Sequence, residues 1–238
     1  IEITLELNPV TMGQKYLSAY KQAGITRVSL GVQSLQEEKL KTLGRIHTVA
    51  EIFAVIDKIK QAEFSSFNID LIRGIPKQNL SEALADLETA ITMAPNHISW
   101  YDLTIEPGTL FYNKNIPVPN EDLLYQIHQQ GTVLLQQAGL QQYEISAFAK
   151  IAHQCRHNMN YWQFGDYLGI GAGAHSKITN LSNHAIYRFQ KIANPEIYLT
   201  SKQNFTAAKS ILSIQQIPLE FMLNALRLSN GFSLKLFQ

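Results

Sequence analysis

Glu6, Gln33, Arg45 and Asp70 are the polar side chains whose positions most need a physical explanation. Glu6 and Asp70 lie in stretches that read as strands, IEITLEL (1–7) and SFNIDLI (66–72), and Gln33 closes another, ITRVSLGVQ (25–33). A parallel strand between helices is buried on both faces, where an unpaired carboxylate or carboxamide is costly. All three residues lie toward the C-terminal ends of their strands, where α/β folds put ligands. Arg45, in LGRIH after the second strand, is a fixed cation suited to one of these carboxylates or to a ligand carboxylate gripped at two points. Two readings fit these residues: an ion pair that satisfies itself, and a binding pocket.

A second concentration of reactive types runs over 154–175, QCRHNMNYWQFGDYLGIGAGAH. Cys155, His157 and His175 stand there with Tyr161, Trp162 and three alternate glycines. Zinc asks for about four ligands, and the spacing of these residues matches no compact set. A Cys–His nucleophile pair competes with an inert, packed cysteine. An axial ligand of haem iron needs only one imidazole between flat walls, and His157 with Tyr161 and Trp162 meets that description; a packed or capping histidine is the other account. The run Gly169-Ile170-Gly171-Ala172-Gly173 lacks the spacing of a dinucleotide fingerprint, so close backbone packing at a sheet edge or barrel floor explains it better.

The elements that must carry these groups follow from periodicity. Asn8-Pro9 ends the first strand, and Thr11 can cap a helix that runs to Ala23 and stops at Gly24. A short helix over 36–42 precedes Thr48-x-x-Glu51, a capping-box pattern that opens a helix to Ala62. A helix over 81–93 ends before Pro95, HISWYDL (97–103) is the fourth strand, and a long helix over 120–138 leads to QQYEISA (141–147) as the fifth. A sixth strand is expected at 167–170. Alternation of strands and helices means βαβ units and a parallel sheet, as a partial barrel or an open sheet. Past 180 the pattern changes to AIYRFQK (185–191), strand-like, and to Phe221, Leu223, Leu226 and Leu228 at near-helical spacing.

Composition narrows the function. A length of 238 residues allows one large α/β domain and a small second one. A net charge of +1 argues against a partner bound through nucleic-acid phosphates. No apolar run approaches the roughly 18 residues of a membrane span. A single cysteine excludes an internal disulfide and fits a reducing cytoplasm. The chain opens on Ile1 inside a strand-like alternation and stops within an apolar stretch at Gln238, so truncation at both ends is expected.

The segments LELNP (5–9), SLGVQS (29–34), LGRIH (43–47), NIDLIRGIP (68–76), LTIEPGT (103–109), QYEISAFA (142–149) and RHNMNYWQFGDYLGIGAGAH (156–175) together resemble the oxygen-independent coproporphyrinogen III oxidase-like radical SAM proteins. That resemblance implies an α/β fold: a partial (β/α)6 barrel over 1–178, with the start of a small α+β domain over 179–238. It implies a [4Fe–4S] cluster and S-adenosylmethionine (SAM), with Glu6 at the position that contacts the SAM ribose and Gln33, Arg45 and Asp70 at further SAM-pocket positions. The HNxNYW form at 157–162 resembles the haem-chaperone branch, which makes His157 the haem-iron ligand and Tyr161 and Trp162 its neighbours. The implied activity is binding haem, or a porphyrin, and delivering haem to a haem-accepting respiratory protein, with peripheral membrane contact through that client. The alternative is oxidative decarboxylation of coproporphyrinogen III to protoporphyrinogen IX. The family's CxxxCxxC motif does not occur in these 238 residues and is expected before Ile1; Cys155 alone cannot hold a cubane cluster. An open sheet without its first strand would expose an edge, so self-association is expected.

Overall fold

The computed structural model describes residues 1–10, 16–113 and 116–237. They form two compact units, Ile1–Gln154 and Cys155–Gln238. The division thus falls before the HNxNYW stretch, whereas the sequence reading put it after 178.

The first unit is built on one six-stranded sheet. Strands β1 (Thr4–Leu7), β2 (Arg27–Gln33), β3 (Ser66–Arg73) and β4 (His97–Asp102) run parallel, and β5 (Gln141–Glu144) and β6 (Ala147–Ala149) complete the order β1-β2-β3-β4-β6-β5. Strand β6 pairs antiparallel with both β4 and β5, so the sheet is mixed rather than wholly parallel. The single strand expected over 141–147 is a tight hairpin. Its turn is made by the Glu144 carboxylate, which accepts from the Ser146 backbone N–H at 3.0 Å and from its hydroxyl at 2.8 Å. The strand expected at 167–170 is absent from this sheet; Tyr167 makes only an isolated bridge to Lys177 in the second unit.

Helices α1 (Leu17–Gln22), α2 (Glu37–Thr42), α3 (Val49–Gln61), α4 (Leu80–Thr92), α5 (Leu110–Asn113) and α6 (Glu121–Gln137) connect the strands. Thr11, expected to cap the first helix, lies outside the described residues. Thr48 and Glu51 do close a capping box on α3, and Asn79 with Glu82 closes a second on α4. Ile52, Val55, Ile56 and Ile59 recur at helical spacing on α3 and are fully buried. They join Val28, Leu30, Ile69, Leu71, Ile98 and Trp100 of the strands in one core, each large side chain contributing about 1.5–3 kcal/mol on burial. Gly131 of α6 is required by this packing, because a Cβ there would lie 2.1 Å from the Trp100 ring.

Since strand side chains alternate faces, burying Val28 and Leu30, Ile69 and Leu71, and Ile98 and Trp100 against helices turns the residues between them to the other side. Those residues are polar. Strand register aligns Glu6 with Ser29, Ser29 with Asn68, and Asn68 with His97, a lateral row across β1 to β4.

The second unit has helix α7 (Arg156–Trp162), a three-stranded antiparallel sheet of β7 (His175–Asn180), β8 (Ala185–Lys191) and β9 (Thr206–Ile211), and helices α8 (Pro195–Thr200) and α9 (Gln216–Ala225). Phe221 of α9 is its buried centre, with ring contacts to Phe164, Phe232 and Phe237. The close backbone packing expected of the glycine run is met at Gly169, whereas Gly171 and Gly173 serve the backbone conformation. A Cβ on Gly169 would lie 2.1 Å from the His175 carbonyl oxygen, and Gly171 and Gly173 hold φ of +109° and +73°.

Candidate functional site

The C-terminal ends of β1 to β4, with Arg45 from the loop after α2, bring the four polar residues singled out in the sequence around a fifth, Tyr101. Its hydroxyl donates to Gln33 Oε1 at 2.8 Å. Burial pushes the Tyr101 phenol up to about 12; the negative charges of Asp70 and Glu6 act in the same direction, while the Arg45 guanidinium and the Gln33 bond oppose them. One phenol therefore feels all four residues. Gln33 is buried and holds φ at +72°, a region that non-glycine residues seldom occupy without support. Its carboxamide folds over Gly31, where a Cβ would lie 2.9 Å from Gln33 Nε2 and 3.1 Å from Asn8 Oδ1. The loop that follows is clamped by Asp86 of α4, which accepts from Ser34 Oγ at 2.7 Å, Leu35 N at 2.9 Å and Gln36 Nε2 at 3.0 Å.

Glu6 is exposed and Arg45 half-buried, so both present charge to a ligand at this end of the sheet. Asp70 is half-buried on β3. Burial raises its pKa above the ordinary carboxylate value, against hydrogen bonds from Asn68, Ser99 and Ser29 that favour the anion. Asn68 Nδ2 donates to Asp70 Oδ1 at 2.7 Å and Ser29 Oγ to Asp70 Oδ2 at 3.1 Å. No Arg–carboxylate ion pair closes among these four in the described residues, so the self-satisfied ion pair is not what gathers them. The arrangement offers two carboxylate acceptors, a carboxamide and a guanidinium beside a phenol, the donor and acceptor set that a nucleoside bearing an amino acid requires. Ser29, Asn68, Ser99 and Tyr101 escaped the sequence reading.

The second group lies on α7. Cys155, at its N-terminal boundary, is buried, and His157 is half-buried with Nδ1 3.3 Å from Cys155 Sγ. The His157 ring meets Tyr161 edge to face at 6.1 Å, and Tyr161 meets Tyr167 at 4.8 Å. Trp162 turns elsewhere: the Arg227 guanidinium stacks over it at 4.1 Å. Tyr161, Trp162, Phe164, Tyr167, Lys177 and Arg188 line a cavity of about 220 Å³, and His157 is not among its walls. That volume is below the roughly 300 Å³ of ordinary small-molecule pockets, so it admits the edge of a flat ligand and not a whole macrocycle. The helix therefore brings His157 and Tyr161 together, and Tyr161 and Trp162 share a neighbouring cavity that His157 does not line. His175, at the start of β7, is exposed.

The family model for the radical SAM superfamily matches residues 1–90, the stretch that carries all four pocket residues. Heme chaperone HemW of Haemophilus influenzae is 48% identical over 96% of this chain and 59% of its own length. The match to the radical SAM superfamily thus covers residues 1–90. Heme chaperone HemW of Escherichia coli is 45% identical over 95% of the chain, again 59% of the relative. The chain thus spans about three-fifths of the length of these curated relatives. Among solved structures, the radical SAM enzyme coproporphyrinogen III oxidase (HemN) of Escherichia coli superposes with a TM-score of 0.79 at 21% identity, covering 95% of this chain and 55% of that one. This likeness establishes the fold: the open mixed sheet is part of a radical SAM barrel. The radical SAM family implies SAM and a [4Fe–4S] cluster. The polar end of the sheet fits SAM, whereas one cysteine in 238 residues does not fit a cluster within this stretch. No helix among the described residues is long and apolar enough to cross a membrane.

Proposed function

We propose that this chain is the barrel and following unit of a radical SAM haem chaperone, a cytoplasmic protein that binds haem and passes it to haem-requiring respiratory enzymes. The names of its relatives from Haemophilus influenzae and Escherichia coli support this reading. SAM would be held by Glu6 at the ribose, with Gln33, Arg45 and Asp70 around the rest of the nucleoside and amino acid. With a cluster supplied from outside these residues, bound SAM brings radical or regulatory chemistry. What this chain contributes is orientation: Gln33 is locked by Tyr101 and by the Asp86 clamp, and Asp70 by Asn68 and Ser29.

His157 is the proposed ligand of the haem iron, with Tyr161 beside it and Trp162 on the adjoining cavity. The observation that carries this assignment is the half-buried His157 imidazole on α7, one helical turn before the Tyr161 ring that it touches. Recipients would be haem-accepting proteins, reached at the membrane periphery where the client is a respiratory complex. A haem titration followed by absorbance tests this with the chain and its His157→Ala variant. Saturation near one equivalent that disappears in the variant is expected; equal, weak binding by both would make His157 a packing residue.

A second reading, oxidative decarboxylation of coproporphyrinogen III, is favoured by the fold likeness to the solved oxidase. Turnover of the porphyrinogen by the full-length protein with cluster and SAM would establish it over the chaperone reading.

A further inference from the structure

The lateral row of polar side chains continues inward from Asp70 to residues that no ligand pocket needs for contact. Asn68 Oδ1 accepts from His97 Nδ1 at 2.6 Å, and His97 Nε2 lies 2.8 Å from the Tyr143 hydroxyl. His97 is fully buried and Asn68 and Tyr143 nearly so. Hydrogen-bond directions along this chain can be followed outward from the Asp70 anion. Asp70 only accepts, so the group of Asn68 that faces it at 2.7 Å is Nδ2, whose other hydrogen goes to Ser29 Oγ at 2.8 Å. Asn68 Oδ1 is then turned to β4, where it takes the His97 Nδ1 hydrogen and that of Ser99 Oγ at 3.2 Å. With Nδ1 carrying the proton, a neutral ring accepts at Nε2 from the Tyr143 hydroxyl. Ser29, having accepted from Asn68, passes its own hydrogen to Asp70 Oδ2 at 3.1 Å. Every bond points toward one carboxylate.

We propose that His97 and Tyr143 are positioning residues of the ligand pocket, which through Asn68 hold the Asp70 carboxylate in one orientation as a pure acceptor for the hydroxyl or amino groups of a bound nucleoside. The ligand class rests on the SAM reading of the pocket; the relay does not. A carboxamide flips easily when neither end is fixed, and a flipped Asn68 would set Oδ1 against the Asp70 anion. His97 opposes the flip by donating to Oδ1, and Tyr143, bonded at Nε2, holds the His97 ring in place. The groups that face Asp70 are Asn68 on its own strand, Ser29 from β2, Ser99 and Tyr101 from β4 and Glu6 from β1, while Arg45 acts on Tyr101. With the Ser99 hydrogen given to Asn68 Oδ1, Asn68 and Ser29 are the donors to Asp70, so loss of the relay removes support for the charged form specifically.

Two readouts test this on the chain and its His97→Leu and Tyr143→Phe variants. The first is the Asp70 carboxyl titration by carbon-13 NMR, without ligand. The second is the affinity for S-adenosylhomocysteine from pH 4 to 8 by calorimetry. Both variants should raise the Asp70 midpoint, His97→Leu more than Tyr143→Phe. The acid limb of ligand binding should move up by the same amount, with about a tenfold affinity loss for His97→Leu at neutral pH. Tyr143→Phe removes a single oxygen atom, so it keeps the question open to measurement should His97→Leu fail to fold. An Asp70 midpoint unchanged in the folded variants would overturn the relay, as would an affinity loss that is uniform across pH. Absence of S-adenosylhomocysteine binding in the wild type would refute the SAM reading instead, and the carboxyl titration would still decide the relay.

Discussion

The Tyr101 hydroxyl donates to Gln33 Oε1 at 2.8 Å, tying the end of β2 to β4 across the intervening β3. The bond leaves Gln33 Nε2 as the carboxamide's donor end and keeps a strained residue in place. Tyr101→Phe removes it at constant ring volume. Affinity for S-adenosylhomocysteine should fall about five- to tenfold, the worth of one hydrogen bond at about 1–1.5 kcal/mol. The loss should be the same from about pH 6 to pH 9, because a phenol pushed up to about 12 stays a donor throughout. A loss that varies across this range would assign the effect to another group.

Two glycines separate pocket geometry from core packing. At Gly31 an added Cβ meets the movable ends of Gln33 and Asn8, so Gly31→Ala should leave the thermal midpoint nearly unchanged while ligand affinity drops. At Gly131 the Cβ meets the Trp100 ring, wedged in the core, and overpacking there costs about 1–3 kcal/mol. Gly131→Ala should therefore lower the midpoint by several degrees with little change in the affinity of the folded fraction. Equal effects of both on stability would contradict the assignment of Gly31 to the pocket.

Acid should loosen the second unit first at Asp166. Although partial burial opposes it, hydrogen bonds from Lys177 and from Thr179 hold this carboxylate below its ordinary pKa. A depressed carboxylate contributes stability above its unfolded pKa and loses it as pH falls through the folded value. Wild type should accordingly lose stability on acidification below about pH 4 more steeply than Asp166→Asn. Chemical unfolding at a series of acid pH values, followed by fluorescence of Trp162 with Trp100→Phe as background, measures this. Parallel curves would remove Asp166 from the acid response.

Much of the pocket was legible in the sequence, and its inner support was not. A carboxylate inside a strand is expensive enough to be noticed alone, which is why Glu6 and Asp70 stood out. Serine, asparagine and histidine in a strand raise no such alarm. Ser29, Asn68 and His97 acquire meaning only from register, since their alignment with Glu6 depends on how four strands slide past one another. One signal was present: Asn68 and Asp70 stand two apart, as do His97, Ser99 and Tyr101, each set on one face of its strand. The hairpin at 141–149 hid for a different reason. Its turn uses no glycine or proline, and the Glu144 side chain does the work of a turn residue. The second unit begins at Cys155, and within it Gly169 packs on His175 of β7, a contact between segments that periodicity does not report.

Gln33 stays at φ +72° because the next three residues are pinned, and the pin is Asp86. Asp86→Ala leaves Ser34 and the Leu35 N–H without their acceptor, at a cost of about 2–3 kcal/mol, and should weaken nucleoside binding although residue 86 touches no ligand. Asp86→Asn retains an acceptor for Leu35 and Gln36, and Ser34 can rotate to accept from the new amide, so its cost at neutral pH should be under about 1 kcal/mol. The pH dependence separates the variants further. Burial raises the Asp86 pKa, against the bonds from Gln36, Ser34 and Leu35. A carboxylate with a raised folded pKa contributes stability that is present below its unfolded pKa and is lost as pH rises through the folded value. Asp86→Asn has no charge to bury, so its stability relative to wild type should improve as pH climbs from about 4 to about 7. Urea midpoints of both proteins at the two ends of that range measure the crossing. A relative stability that declines with rising pH would mean that the three donors outweigh burial and that the Asp86 anion, not merely its oxygen atoms, holds the loop.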